Sequence, residues 1–110
     1  MQELSTSALR RRKTTLIGQL PNMDTVLRGS LIERYKRCGK PNCKCAKGRG
    51  HGPKHYLSIS RSNASPEMAY VPKARHAEVA EALENYRHIR EILDELCAIN
   101  RELLRRRETF

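Results

Sequence analysis

Tryptophan is absent and phenylalanine occurs once, so four tyrosines supply most of the aromatic surface of a 110-residue chain. The core must therefore rest on aliphatic side chains, and one so small calls for a further staple such as a metal or a partner subunit. No apolar run approaches the roughly 20 residues of a membrane span. Nor does an apolar stretch follow the early basic cluster as a secretory signal would require, so the expected location is the cytoplasm. Carboxylates are missing from the whole interval between Glu33 and Glu67. Neither a nucleophile with its base, nor a carboxylate pair, nor a phosphate-cradling glycine motif can be named, and the chain is not expected to be an enzyme. Glycine and proline are absent from residues 74–107, which excludes a break in any helix formed there.

What the chain has in excess is positive charge: 22 Lys and Arg against 12 Asp and Glu, a net +10. The excess is not evenly spread. Residues 1–73 hold fifteen basic and four acidic side chains, whereas residues 74–110 hold seven and eight. The front two-thirds is therefore the part expected to face a polyanion.

Three segments are expected. Residues 1–25 form a basic N-terminal arm or a short helix, since Leu9, Leu16, Ile17 and Leu20 fall near helical spacing around Arg10, Arg11, Arg12 and Lys13, and Pro21 ends the run. Two threonines and Gly18 weaken that helix. Residues 26–73 form a β region. Period-two alternation over 26–37 reads as one strand, and residues 55–60 and 68–71 read as two more, joined by a turn at Asn63, Ser65 and Pro66. Residues 74–110 carry one amphipathic helix. Over 74–107 it would be about 50 Å long at about 1.5 Å per residue, with Val79, Tyr86, Leu93 and Asn100 at heptad position a and Ala82, Ile89, Leu96 and Leu103 at d. The expected class is thus α+β, a zinc-stapled antiparallel sheet of two or three strands followed by one long C-terminal helix. Cys97 is expected as a small buried residue on that helix.

The centre of the chain reads RCGKPNCKCAKGRGHGPKHY. Cys38, Cys43, Cys45, His51 and His55 offer five thiol or imidazole ligands within eighteen positions. Structural zinc takes four such ligands in a tetrahedron, and short loops return the chain to one ion at little entropic cost. The expected ligands are Cys38, Cys43, Cys45 and His51, with His55 in reserve. Free thiols or a disulfide are the competing readings, the latter disfavoured in a reducing compartment. A catalytic zinc would want a nearby general base, and the acid-free interval argues for a closed structural site.

Arg34, Lys36, Arg37, Lys40, Lys44, Lys47, Arg49 and Lys54 surround these ligands. A few would suffice to hold thiolates ionised; eight suggest contact with phosphates. Together with Arg10, Arg11, Arg12 and Lys13 they are the candidate nucleic-acid-binding residues; a β-ribbon can enter the DNA major groove and DNA is favoured over RNA, but these residues do not separate the two. Tyr35, Tyr56 and Tyr70 could stack on bases, but a place in the core is the commoner fate of a strand tyrosine.

The string from Leu27 to Ser58, LRGSLIERYKRCGKPNCKCAKGRGHGPKHYLS, with YVPK at Tyr70 to Lys73 and ENYRHIREILDEL beyond, resembles domain of unknown function 6788, a family of short bacterial and archaeal proteins. The resemblance runs over about residues 27–105 and leaves the N-terminal arm outside. It implies association with transposase genes and mobile elements, a transposase or other mobile-element protein as partner, and a nucleic-acid role by that association alone. An aromatic commonly follows HGP in the family; here Lys54 and His55 stand before Tyr56.

Two classes of function follow. The first is a zinc-stabilised nucleic-acid-binding accessory or regulatory protein of a mobile element; the second is a protein-interaction adaptor working through the long helix. Leu93, Leu96, Leu103 and Leu104 in the distal half of that helix need a cover. Either a second copy of the chain or the segment around Leu9, Leu16 and Leu20 would supply it, and a homodimer is favoured. Protein produced with zinc available should carry about one zinc per chain and lose central structure on chelation. Metal content near zero, with melting unchanged by chelator, would refute the staple.

Overall fold

The computed structural model describes residues 1–36 and 51–110, and of Lys36, His51 and Gly52 the backbone alone. In chain order come α1 (Thr6–Gly18), β1 (Ser30–Lys36), β2 (His51–Arg61), β3 (Ala64–Val71), a 3-10 turn at Lys73–Arg75 and α2 (His76–Arg105). The class is α+β as expected, an antiparallel sheet in the order β1-β2-β3 followed by one long helix. Two compact units emerge, Leu27–Leu83 and Met1–Val26 with Glu84–Phe110, and α2 contributes to each. The expected ligands Cys38, Cys43 and Cys45 lie outside the described residues, as do Arg37, Lys40, Lys44, Lys47 and Arg49.

In the sheet unit, β1 starts four residues later than its alternation suggests. Gly29 sits at φ 137°, and a Cβ there would lie 2.6 Å from the Ser58 carbonyl oxygen. Only glycine meets both demands, so the approach to the strand is a close pass and not a ladder position. β2 begins earlier than expected and takes Pro53 into a central strand. This is tolerated because Pro53 falls where the register against β1 is irregular, between Arg34↔Lys54 and Lys36↔His51, and pairing with β3 begins only at His55↔Val71. The hairpin turn is Ser62–Asn63, with Asn63 left-handed at φ 55°. Ser65 and Pro66, expected in the turn, belong to edge strand β3. Leu57 and Val71 pack with Val79 of α2, and Leu27, Leu31, Ile59 and Leu83 close around them. The Leu27 N–H donates to the Ala82 carbonyl at 3.1 Å.

In the helical unit, Ser5 caps α1 by accepting the Ala8 N–H at 3.1 Å. The two threonines and the polar face give this segment little helical tendency of its own, so packing holds it. Leu9 and Leu16 are buried against Ile92, Ile99 and Leu103, with Leu20 and Leu96 at the margin. Arg106 ties the chain's first residues to the end of α2. Its guanidinium donates to the carbonyls of Leu4 at 2.7 Å and Gln2 at 3.1 Å, and to the Glu102 carboxylate at 2.7 Å. Arg105 donates to that carboxylate as well, and the two arginines hold the Glu102 carboxyl down to about 2.

The buried stripe of α2 departs from the expected heptads. Val79, Ala82, Ile89 and Leu103 are buried as expected and Leu96 packs at the margin, but the other buried apolar residues are Ile92 and Ile99, which were not in the expected seam. The step from Ile89 to Ile92 is three residues where the heptad needs four, so Ile92 and Ile99 displace Leu93 and Asn100 from the seam. Leu93 is left 50% exposed and Leu104 64% exposed, whereas Leu96 and Leu103 are covered by α1 within the chain. Cys97 is exposed and free, not buried; the same shift turns its position outward. Among the described residues no helix is long and apolar enough to cross a membrane.

Leu9→Ala should cost about 2–5 kcal/mol, because Leu9 is fully buried and α1 has no other anchor of its size except Leu16. Denaturant unfolding of parent and variant measures this directly. A second outcome concerns acid. A carboxyl lowered from 4.5 by folding stabilises above that value and loses its contribution as pH falls towards 2. Glu102→Gln should therefore flatten the loss of thermal stability over that interval, seen as a smaller drop in Tm between pH 5 and pH 2.

Candidate nucleic-acid interface

Residues paired across an antiparallel ladder share a face, so the register sorts the sheet's side chains. One set of rows is Leu31–Leu57–Ala69 and Glu33–His55–Val71, with Ile59↔Glu67 beyond. Leu31, Leu57, Ile59 and Val71 from these rows make the core, so this is the covered side. The other rows are Ser30–Ser58–Met68, Ile32–Tyr56–Tyr70 and Arg34–Lys54. This outer side carries two cations and two tyrosines, while both carboxylates of the sheet, Glu33 and Glu67, fall in the opposite rows.

Tyr70 is 58% exposed and Tyr35 39% exposed, so the expectation of core tyrosines does not hold for these two. The reason lies in the small sheet, which among the described residues has a helix on one side only. Tyr56, half-buried, meets Tyr70 edge-to-face with ring centroids 5.7 Å apart. The register shifts between Arg34 and Lys36. A cleft of about 200 Å³ there is lined by Arg34, Tyr35, Lys54, Tyr56 and Met68. A second of about 220 Å³ has Lys54, Lys73, Tyr70, His55 and His76 among its walls. Lys54 serves both.

The two histidines form a local cluster. Their rings lie 4.0 Å apart, His55 Nε2 is 3.2 Å from the Glu33 carboxylate, and His76 Nε2 donates to the Val71 carbonyl at 3.1 Å. Among the described residues no group of three or more His, Cys, Asp and Glu could hold a metal ion. For the expected ligand His51 the backbone is described: it opens β2 and pairs with Lys36, the last residue of β1.

Of the candidate phosphate contacts, Arg34 and Lys54 stand together on the outer rows. The N-terminal cluster is largely engaged within its own unit. Arg12 makes a two-pronged bond to Glu95 at 2.6 and 3.1 Å, which raises the guanidinium and lowers the carboxyl from their ordinary values. Arg10 donates to the Thr109 carbonyl at 2.9 Å and faces Glu108 at 3.7 Å. Lys13 donates to Asn100 at 2.9 Å and to the Phe110 carbonyl at 2.7 Å. Arg11 is exposed. Met68 and Lys73, on the cleft walls, were not among the candidate site residues; β3 carries Met68 and the turn that follows it carries Lys73 to the others.

The described sheet thus has one side covered by α2 and another whose rows carry Arg34, Lys54, Tyr56 and Tyr70. A family model described as domain of unknown function, DUF6788, matches residues 6–81, and the chain belongs to that family. The match takes in α1, which the resemblance of residues 27–105 left outside, and it ends within α2. No curated protein and no solved structure matches the chain.

Proposed function

We propose that this chain is a zinc-stabilised nucleic-acid-binding protein of the cytoplasm, an accessory or regulatory protein of a mobile element, with DNA as the favoured partner. The observation that carries the reading is the segregation of charge in the sheet. Arg34 and Lys54 lie on the outer rows and Glu33 and Glu67 on the others, so a polyanion approaching the outer side meets cations without opposing carboxylates. The cations of residues 37–49 follow β1 directly in sequence and extend the same positive stretch. The mobile-element role rests on the family resemblance.

The zinc fits this frame. The pairing of Lys36 with His51 brings the two ends of the intervening segment to neighbouring positions in the sheet, so strand pairing itself closes the loop that contains the three cysteines. Cys38, Cys43, Cys45 and His51 would hold the ion, which supplies a structural cross-link at the open end of a small sheet. Arg34 and Lys54 then act on phosphate as charges, without any covalent step.

The adaptor reading also has support. Leu93, Cys97 and Leu104 are exposed at helical spacing along α2, a stripe on which a second copy or another protein could sit. Replacing Arg34, Arg37, Lys44 and Arg49 together by Ala should weaken binding to random-sequence DNA and flatten the dependence of log affinity on log salt, because each lost phosphate contact removes released counterions. Fluorescence anisotropy at several salt concentrations reads both. An unchanged affinity and slope in a folded variant would move the function to the α2 stripe.

A further inference from the structure

We infer that the outer side of the sheet is a stacking surface for single-stranded nucleic acid, with Tyr70 and Tyr56 taking bases and the Lys54–Lys73 cleft taking an adjoining phosphate. The inference rests on the nucleic-acid reading above and deepens it by naming the strandedness of the ligand.

A tyrosine on a three-stranded sheet buries its ring in the core if it can, because the ring is large and apolar. Tyr70 does not. It lies on the edge strand, 58% exposed, with Tyr56 beside it. An edge-to-face pair leaves at least one face of each ring uncovered by the other, so the arrangement still offers aromatic surface to a planar ligand. Ile32 and Met68 flank the pair on the same rows and make that surface apolar.

Charge supplies the second constraint. The cleft of about 220 Å³ beside Tyr70 is walled by Lys54, Lys73, His55, His76, Pro53 and Val71, with no carboxylate among the lining side chains. Lys54 also lines the neighbouring cleft with Arg34 and Tyr56. An apolar aromatic surface bordered by cations matches a chain that alternates bases and phosphates.

Strandedness follows from geometry. In a duplex each base face is covered by its stacked neighbour, and only groove edges and phosphates reach a protein surface. A ring on the side of a sheet can contact a base face only where the strand is unpaired. A duplex would use the lysines and leave Tyr70 idle.

The absence of tryptophan makes tyrosine emission a direct probe of the four tyrosines. The zinc-loaded full-length protein should bind a single-stranded oligothymidine 15-mer more tightly than a duplex of the same length at equal salt, with quenching of tyrosine emission. Tyr70→Leu, apolar but not aromatic, should weaken single-strand binding about tenfold, in line with alanine-scan values for base stacking, and leave duplex binding unchanged. Tyr70→Phe should bind like the parent. Lys54→Ala with Lys73→Ala should weaken the single strand as well, with a shallower salt slope. Equal or tighter binding of the duplex, with Tyr70→Leu neutral on both ligands, would overturn the stacking surface and leave the nucleic-acid reading intact. Binding of neither ligand at low salt would overturn both. The parent's preference between the two ligands decides the matter even if Tyr70→Leu fails to fold.

Discussion

The register of β2 against its two neighbours is the constraint on which the sheet unit depends. It sends Leu31, Leu57, Ile59 and Val71 to the side covered by α2 and leaves Arg34, Lys54, Tyr56 and Tyr70 on the other. A slip of one residue would exchange the two sets, expose the core and bring cations beneath the helix. The same register pairs Lys36 with His51, the described residues that flank the cysteine-bearing segment in sequence. Gly29 guards that register from the other end, since its backbone passes too close to Ser58 for any side chain. Core, outer surface and proposed metal loop are therefore consequences of one pairing.

Neither hydrophobic cluster is large. Among the described residues three buried side chains define the one and five the other, which is little apolar surface for two units. In the helical unit, polar ties make up part of the difference. Glu102 is nearly buried yet ionised, because two arginines hold it, and one of these also satisfies carbonyls of the first residues. The bonds made by Arg10, Arg12 and Lys13 serve the same unit, which gives these three residues of the basic run a structural role. In the sheet unit, a zinc ion would have the corresponding role.

The long helix was legible because 34 residues without glycine or proline, rich in helix formers, allow little else. The strands were legible from alternation, though their ends were not. Pro53 reads as a strand breaker until the partner on one side is known to be missing, and Gly29 reads as a strand residue until the Ser58 carbonyl is seen beside it. Beyond Ile89 the expected d residues Leu96 and Leu103 do pack in the core, but the a positions pass from Leu93 and Asn100 to Ile92 and Ile99, a shift that is invisible when Ile92 and Leu93, or Ile99 and Asn100, stand side by side. That shift decided the exposure of Cys97 and Leu93.

By itself the sequence determined the class of fold, the concentration of positive charge in the first two-thirds, and the set of metal-ligand candidates, because periodicity, charge and ligand chemistry are properties of residues and their spacing. Tertiary structure alone decided which cations stand together and which are already paired, which tyrosines face solvent, and what covers the distal half of α2. These depend on strand register and on contacts between segments up to about a hundred positions apart, such as Arg106 with the carbonyl of Gln2. No local pattern encodes such contacts, since each is fixed by the packing of the rest.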